Sequence, residues 1–341
     1  MRRTVSIIFV FTLLYTVSCR ESKPPTVEGF NGLAQGTTYS IMYVDEKNYE
    51  PADLKAGTEK ILNDFDMSLS LYKDSSILCR VNRNEEAVLD KYFIESFQKS
   101  ADISAMTGGA FDITVGPLVK AWGFGPDEHK NFSESKRDSL LRLVGMEKVR
   151  LEGDRLIKAD PAIQLDFNAI AQGYSVDVIC GFFDSLGLQN YLIEIGGEVR
   201  ARGTKLGEKW RIGIDRPEEN NFSPGENLEA VIRISDEALA TSGNYRKFYV
   251  ENGVKYSHTI DPRTGYPAKN NLLSATIIAS DCATADGVAT ACMVMGKDNG
   301  IRFIEDHPEF MAYFIYSDES GNFRTWASPA LLERITEMNP N

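Results

Sequence analysis

Apolar positions along the chain fall into two spacings, and each predicts its own kind of element. Gly36 to Val44 alternates and is rich in β-formers, which predicts a strand. Pro51 to Met67 carries Leu54, Ile61, Leu62 and Phe65 at helical spacing. Leu89 to Met106 repeats that pattern with Phe93, Phe97 and Ile103, and stops at Gly108-Gly109. Ser133 to Val144 reads as a short helix, followed by short strands at Val149–Leu151, Leu156–Lys158 and Ile163–Phe167. Ala169 to Leu186 is helical and ends at Gly187. Strands are then predicted at Tyr191–Ile195, Arg211–Ile214, Glu229–Ile234, Phe248–Val250, Lys255–Thr259 and Leu273–Ala279. Helices at Ala283–Met295 and Asp298–Glu305 flank Gly296, and a strand follows at Ala312–Tyr316. Ser328-Pro329 reads as a cap with Pro at the first helical position, opening a last helix over Ala330–Met338. Strands and helices mix without strict βαβ alternation, which predicts an α+β fold with a mixed or antiparallel sheet and flanking helices. No long linker or repeat divides it, so one domain is expected.

The first residues read differently. Arg2 and Arg3 precede an apolar run from Val5 to Val17, then Ser18-Cys19 and a polar stretch. A basic start, a short apolar core and a small residue before the cut describe a secretory signal. The run is shorter than the roughly 20 apolar residues a spanning helix needs. Residues 1–18 are therefore expected to be cleaved, 19–28 to act as a tether, and 29–341 to form the domain.

Composition narrows the class. The 341 residues are 25% charged and 43% apolar, which excludes disorder and a multi-span membrane protein. Lys and Arg number 37 against 49 Asp and Glu, a formal net charge of -12. Loss of Arg2 and Arg3 with the signal deepens this excess, which argues against nucleic acid as a partner. The chain has five Cys and no CxxC, and its three His make no HExxH. A metal would then lean on oxygen ligands. Cys282 and Cys292 lie about 15 Å apart on one expected helix, too far to bridge, and buried free thiols are expected.

Four polar clusters stand outside the apolar stripes. Gly108 to Pro117 pairs two glycines with Phe111 and Asp112; alone, it is equally a helix end with a capping Asp. Asp166 to Tyr174 runs from an expected strand into a helix start, whose free N–H groups suit phosphate; alone, Asp166 or Asn168 is equally an N-cap. Ser257 to Pro267 sets His258 before a tight Asp-Pro-Arg-Thr-Gly turn, the best-placed His for acid–base work. Asp286 and Thr290 lie four apart on one helix face and offer the hard oxygens that Mg²⁺ takes; alone, they are equally a polar stripe.

In this order the clusters resemble the ApbE family of FAD:protein FMN transferases. The resemblance rests on Gln35-Gly36-Thr37, Tyr72 with Ser75-Ser76 and Asn82, Gly109 to Thr114, and Leu165-Asp166-Phe167 leading to Ala171-Gln172-Gly173-Tyr174. It continues through Ile195 to Glu198, Ala240 to Tyr245, His258 to Pro267 and Ala285-Asp286 to Thr290. It spans nearly the whole chain from Gly32 to Ala327. It implies a single ApbE-like domain that moves FMN from FAD to a Thr or Ser hydroxyl of an exported acceptor protein, with AMP released. Carried over position by position, Gln35, Tyr72, Ala110, Phe111, Asp112, Asp166 and Gln172 would line the FAD site. Asp286, Thr290 and the Ala169 carbonyl would hold Mg²⁺, and His258 would sit beside the reacting phosphate. Tyr72 and Phe111 would stack on flat rings of the dinucleotide. The family commonly has Met where Gln35 stands and Lys where Gln172 stands, so this chain lacks one cation near the pyrophosphate. The start of the chain also resembles a bacterial lipoprotein signal, which implies lipidation of Cys19 and a membrane-anchored enzyme facing the periplasm. The acceptor expected by resemblance is of the respiratory-complex subunit type. An FAD pyrophosphatase giving FMN and AMP, or a flavin-binding lipoprotein without turnover, remain alternatives at this point.

Overall fold

This computed structural model describes residues 25–124, 133–218, 225–244, 248–251, 254–257 and 259–338. It opens with a hairpin, β1 (Thr26–Ala34) and β2 (Thr37–Asp45), followed by helices α1 (Pro51–Leu69), α2 (Ile77–Asn82), α3 (Lys91–Met106), α4 (Gly116–Ala121) and α5 (Glu134–Leu141). A small hairpin, β3 (Val149–Glu152) and β4 (Arg155–Lys158), precedes α6 (Ala171–Ser185). Strands β5 (Tyr191–Ile195), β6 (Glu198–Arg202), β7 (Trp210–Asp215), β8 (Leu228–Ile234), β9 (Glu237–Gly243), β10 (Phe248–Glu251), β11 (Val254–Ser257) and β12 (Leu272–Ala279) come next. The chain continues through α7 (Cys282–Met295), α8 (Lys297–Asp306), β13 (Met311–Ser317), β14 (Phe323–Ala327) and β15 (Ile335–Glu337).

Eight strands form the central sheet in the order β1-β2-β5-β6-β9-β12-β13-β14, and a second sheet runs β15-β8-β7. Every neighbouring pair in both is antiparallel. The fold is α+β, and the sheet expected as mixed or antiparallel is antiparallel throughout. Both faces of the central sheet are covered. On β12, Ala275 and Ile277 point into the helical core with α3 and α7, while Ile278 points into the layer formed with β7 and β8. This double burial is why Leu272–Ala279 reads as an apolar run rather than an alternation.

Helix α7 is buried nearly all round, with Ala283, Ala285, Gly287, Ala289 and Ala291 among its buried residues. A helix apolar on every side belongs in a core. Its small residues set the packing distance. A Cβ on Gly287 would lie 2.7 Å from Ile103 of α3, and one on Gly173 of α6 would lie 2.4 Å from the Cys282 carbonyl. Helices α6 and α7 thus approach backbone to backbone. Asp177 of α6 fastens the pair, accepting from the Cys282 and Ala283 N–H groups at 2.9 Å each.

Several expectations change. The last helix does not form. Pro329–Leu331 is a single 3-10 turn, and Ile335–Glu337 pairs with β8 as β15. Ser328 gives no helix cap; its Oγ accepts from the Ala312 N–H at 3.0 Å. No strand forms at Ile163–Phe167, where Leu165 pairs with the Asn82 side chain instead. The first strand already begins at Thr26, inside the stretch read as tether. Strands β1, β6, β9 and β14 and helices α2 and α4 escape the sequence pattern. The four remaining thiols, Cys79, Cys180, Cys282 and Cys292, are free and buried, as expected.

Candidate active site

The site gathers where α6 begins beside the middle of α7. The first N–H groups of a helix have no partner inside it. Ile170, the residue at the N-cap of α6, supplies no side-chain bond, so neither Asp166 nor Asn168 caps this helix. The Gly173 N–H, in the first turn, donates instead to Oδ2 of Asp286 at 3.2 Å. Glycine is required at 173, because a Cβ there would come within 2.8 Å of the Asp286 Cβ. The helix start, with Ala169 just ahead of it, is thereby set against the carboxylate.

Asp286 is 5% exposed, and burial pushes its carboxyl up to about 7, offset only by the Gly173 N–H. Among the described residues no basic side chain balances it. An ion buried in this way without a partner is costly. One helical turn on, Thr290 Oγ1 lies 3.2 Å from Ser242 Oγ of β9. A carboxylate, a hydroxyl and the Ala169 carbonyl just ahead of α6 make a hard-oxygen donor set that suits a divalent cation with water or phosphate in its other positions. The described residues hold no cluster of three or more His, Cys, Asp or Glu side chains. These donors therefore fit a partly hydrated ion and not an all-protein cage.

The hairpin tip between β1 and β2 reaches the same helix start. Gln35 adopts φ 52°, in the left-handed region, and its Oε1 accepts from Ser175 Oγ at 3.4 Å. Its Nε2 is buried with no hydrogen-bond partner. Gln172 lies one turn before Ser175, and its Nε2 sits 2.8 Å from where a Cβ on Gly196 would be. The tight Gly196-Gly197 turn therefore leaves room for that amide.

Asp112 and Asp166 shape the neighbouring loops. Asp112 Oδ1 accepts from the Thr114 N–H at 2.7 Å, and its Oδ2 from the Met146 N–H at 3.1 Å. It caps the turn that follows, and does not end the helix that precedes it. Asp166 Oδ1 accepts from the Asn168 N–H at 2.8 Å. Burial raises both carboxyls, and these hydrogen bonds oppose the rise. Tyr72 is 69% exposed. Desolvation and then the Asp166 carboxylate push its phenol up. Phe111 departs from expectation. Its ring is 2% exposed and sits in the core against α7, so it offers no open stacking face; Ala110 is buried beside it. Tyr72, by contrast, keeps an exposed ring.

His258 and Cys19 lie outside the described residues. The turn after His258 is well held. Trp122 Nε1 donates to the Gly265 carbonyl at 2.9 Å, and Arg137 lies over the Tyr266 ring at 4.7 Å. Ser242 was not among the sequence-derived site residues. Only its place on β9, itself an unexpected strand, brings it to Thr290.

Comparison with known proteins finds relatives over nearly the whole chain. The ApbE family matches residues 35–314. An FAD:protein FMN transferase of Vibrio cholerae is 33% identical over 329 residues, covering 94% of this chain and 96% of the relative. One of Haemophilus influenzae is 34% identical and covers 99% of each. Among solved structures, flavin transferase ApbE from Vibrio cholerae superposes with a TM-score of 0.81, covering 91% of this chain and all of that one at 33% identity. The apo flavinyl transferase ApbE of Pseudomonas stutzeri gives 0.80 at 34% identity, covering 91% of this chain and 97% of that one.

Proposed function

The chain belongs to the ApbE family, and from that premise we propose how its residues carry out the transfer of FMN from FAD to a protein. The enzyme is a transferase. The acceptor is a Thr or Ser hydroxyl of an exported protein, of the respiratory-complex subunit type. Its oxygen bonds to the FMN phosphorus, the pyrophosphate bond breaks, AMP leaves, and the hydroxyl proton passes to His258 Nε2 or Nδ1. The observation that carries the reading is the buried Asp286 carboxylate set against the start of α6.

Asp286, Thr290 and the Ala169 carbonyl would hold Mg²⁺, which would neutralise pyrophosphate oxygens and stabilise charge on departing AMP. The N–H groups at the start of α6 add a fixed positive end to the same place. Gln35 and Gln172 present amides to the dinucleotide, and the exposed Tyr72 ring gives it a stacking surface. Gln172 supplies donors without charge. Gln172→Lys is expected to lower KM for FAD about fivefold, since a charged hydrogen bond exceeds a neutral one by about 1 kcal/mol. An unchanged KM would remove residue 172 from the pyrophosphate.

The reading is tested by incubating the chain from residue 24 onward with FAD, Mg²⁺ and a flavin-acceptor domain. AMP release with covalent flavin fluorescence on the acceptor is expected. AMP and free FMN without labelling would mark a hydrolase, and bound FAD without AMP a binding protein. The enzyme is further proposed to be exported and held at the membrane by lipid on Cys19. Fatty-acid labelling in cells should mark the wild type and miss Cys19→Ala; equal labelling would overturn the anchor. Among the described residues no helix is long and apolar enough to cross a membrane.

A further inference from the structure

Lys158 ends β4, eight residues before Asp166, and its ammonium is fully engaged. Its Nζ donates to the carbonyls of Val81 at 3.1 Å, Pro161 at 3.3 Å and Ile163 at 2.9 Å. An ammonium carries three protons, and here each finds a carbonyl. Burial lowers its pKa, so this lysine is partly withdrawn from water rather than waving on the surface.

The three carbonyls belong to two segments. Val81 lies in α2, and Pro161 and Ile163 lie on the irregular stretch that runs into Leu165-Asp166. Two asparagines repeat the connection. Asn82 exchanges both amide bonds with Leu165, Nδ2 to the carbonyl at 2.9 Å and Oδ1 from the N–H at 2.8 Å. Asn84 Nδ2 donates to the Pro161 carbonyl at 3.0 Å. The other side of α2 holds the loop that carries Tyr72. Ser76 Oγ donates to the Ser70 carbonyl at 2.7 Å, and Arg83 Nη2 to the Asp74 carbonyl at 3.0 Å. Helix α2 is only six residues long. It is a rivet between two loops, one bearing Tyr72 and the other Asp166.

We propose that Lys158 is a positioning residue of the dinucleotide site, clasping the Asp166 segment to α2 and so fixing the spacing between Asp166 and Tyr72. The proposal rests on the flavin reading above. It assigns Lys158 to ground-state binding and not to the chemical step, because it acts through groups that line the dinucleotide. A loosened clasp makes FAD order the two loops on binding, which weakens affinity and leaves the bound geometry intact.

The test measures FAD affinity by flavin fluorescence, and steady-state transfer, for full-length wild type, Lys158→Met and Lys158→Arg. Lys158→Met should raise both Kd and KM for FAD about tenfold, with kcat within twofold of wild type. Lys158→Arg should recover part of the loss. Amide hydrogen exchange over 163–170 should quicken in Lys158→Met, with α7 unchanged. A purely structural lysine would lower the melting temperature and leave Kd and KM as in wild type, and that result would overturn the proposal. A fall in kcat at unchanged KM would overturn it too. Should Lys158→Met fail to fold, Asn84→Gly carries the test. Asn84 sits at φ 60°, so glycine deletes one clasp bond without backbone strain, and a two- to threefold rise in KM is expected; no rise would overturn the clasp. Wild type that neither binds FAD nor transfers flavin would overturn the flavin reading itself.

Discussion

Asp286→Asn is expected to lower kcat by about a thousandfold or more while the protein stays folded. A bound divalent ion supplies several kcal/mol of charge stabilisation in phosphoryl transfer, and about 1.4 kcal/mol corresponds to each tenfold in rate. Asparagine keeps the shape and can still accept from the Gly173 N–H, which now reaches Asp286 at 3.2 Å. It removes the one buried charge that would draw the ion in. Full Mg²⁺-dependent turnover in this variant would sink the metal assignment. The carboxyl also sets a pH signature. Burial pushes it up to about 7, against about 3.9 in an unfolded chain. The folded state therefore binds the extra proton, and stability contributed by the protonated form is full below about pH 4 and lost as pH rises toward 7. Metal-free wild type should lose stability across that window relative to Asp286→Asn, as read by paired thermal melts. Mg²⁺ needs the ionised carboxylate, so its affinity should drop up to tenfold per unit of pH below 7. Titration calorimetry showing equal affinity at pH 6 and pH 8 would contradict the liganding role.

His258→Ala is expected to slow transfer by about a hundredfold to ten-thousandfold, the usual range for a lost general base. FAD binding should change less than twofold, because the role proposed for the imidazole is on the acceptor hydroxyl. The flanks of His258 explain why position matters. Just after it, Asp261 to Tyr266 forms a turn closed by the Asp261 N–H on the Tyr266 carbonyl at 2.8 Å and held by Trp122, the residue that follows α4. An unchanged transfer rate in His258→Ala would remove it as the base.

Particular residues show how legible the molecule was from its sequence. Helices with clean stripes were readable, because spacing reports a buried face without knowledge of what buries it. Strand β12 was readable as an apolar run. Strand β9 was not. Its Glu-Ala-Leu-Ala-Thr-Ser-Gly has weak β-formers and a turn-like end, and it is a strand because β6 and β12 flank it on both sides. The C-terminal segment carried a proper cap and Pro for a helix, yet β8 offered an open edge and took it as β15. Tertiary pairing outweighed local propensity in both places. Phe111 failed for a related reason. Residue type marks it as an aromatic near the site, but only packing against α7 shows that its ring faces inward.

By itself the sequence determined the α+β class, the helices with periodic stripes, the acidic charge balance, and the family to which the chain belongs. These are properties of residue type and spacing, carried locally along the chain. Tertiary structure alone decided that the Gly173 N–H meets Asp286 across 113 positions, that Ser242 meets Thr290 across 48, and that Lys158 bridges α2 to the Asp166 segment. Such contacts depend on how closely two backbones approach. That distance is set by the small side chains of α6 and α7 and by the double covering of the sheet, so no local pattern encodes it.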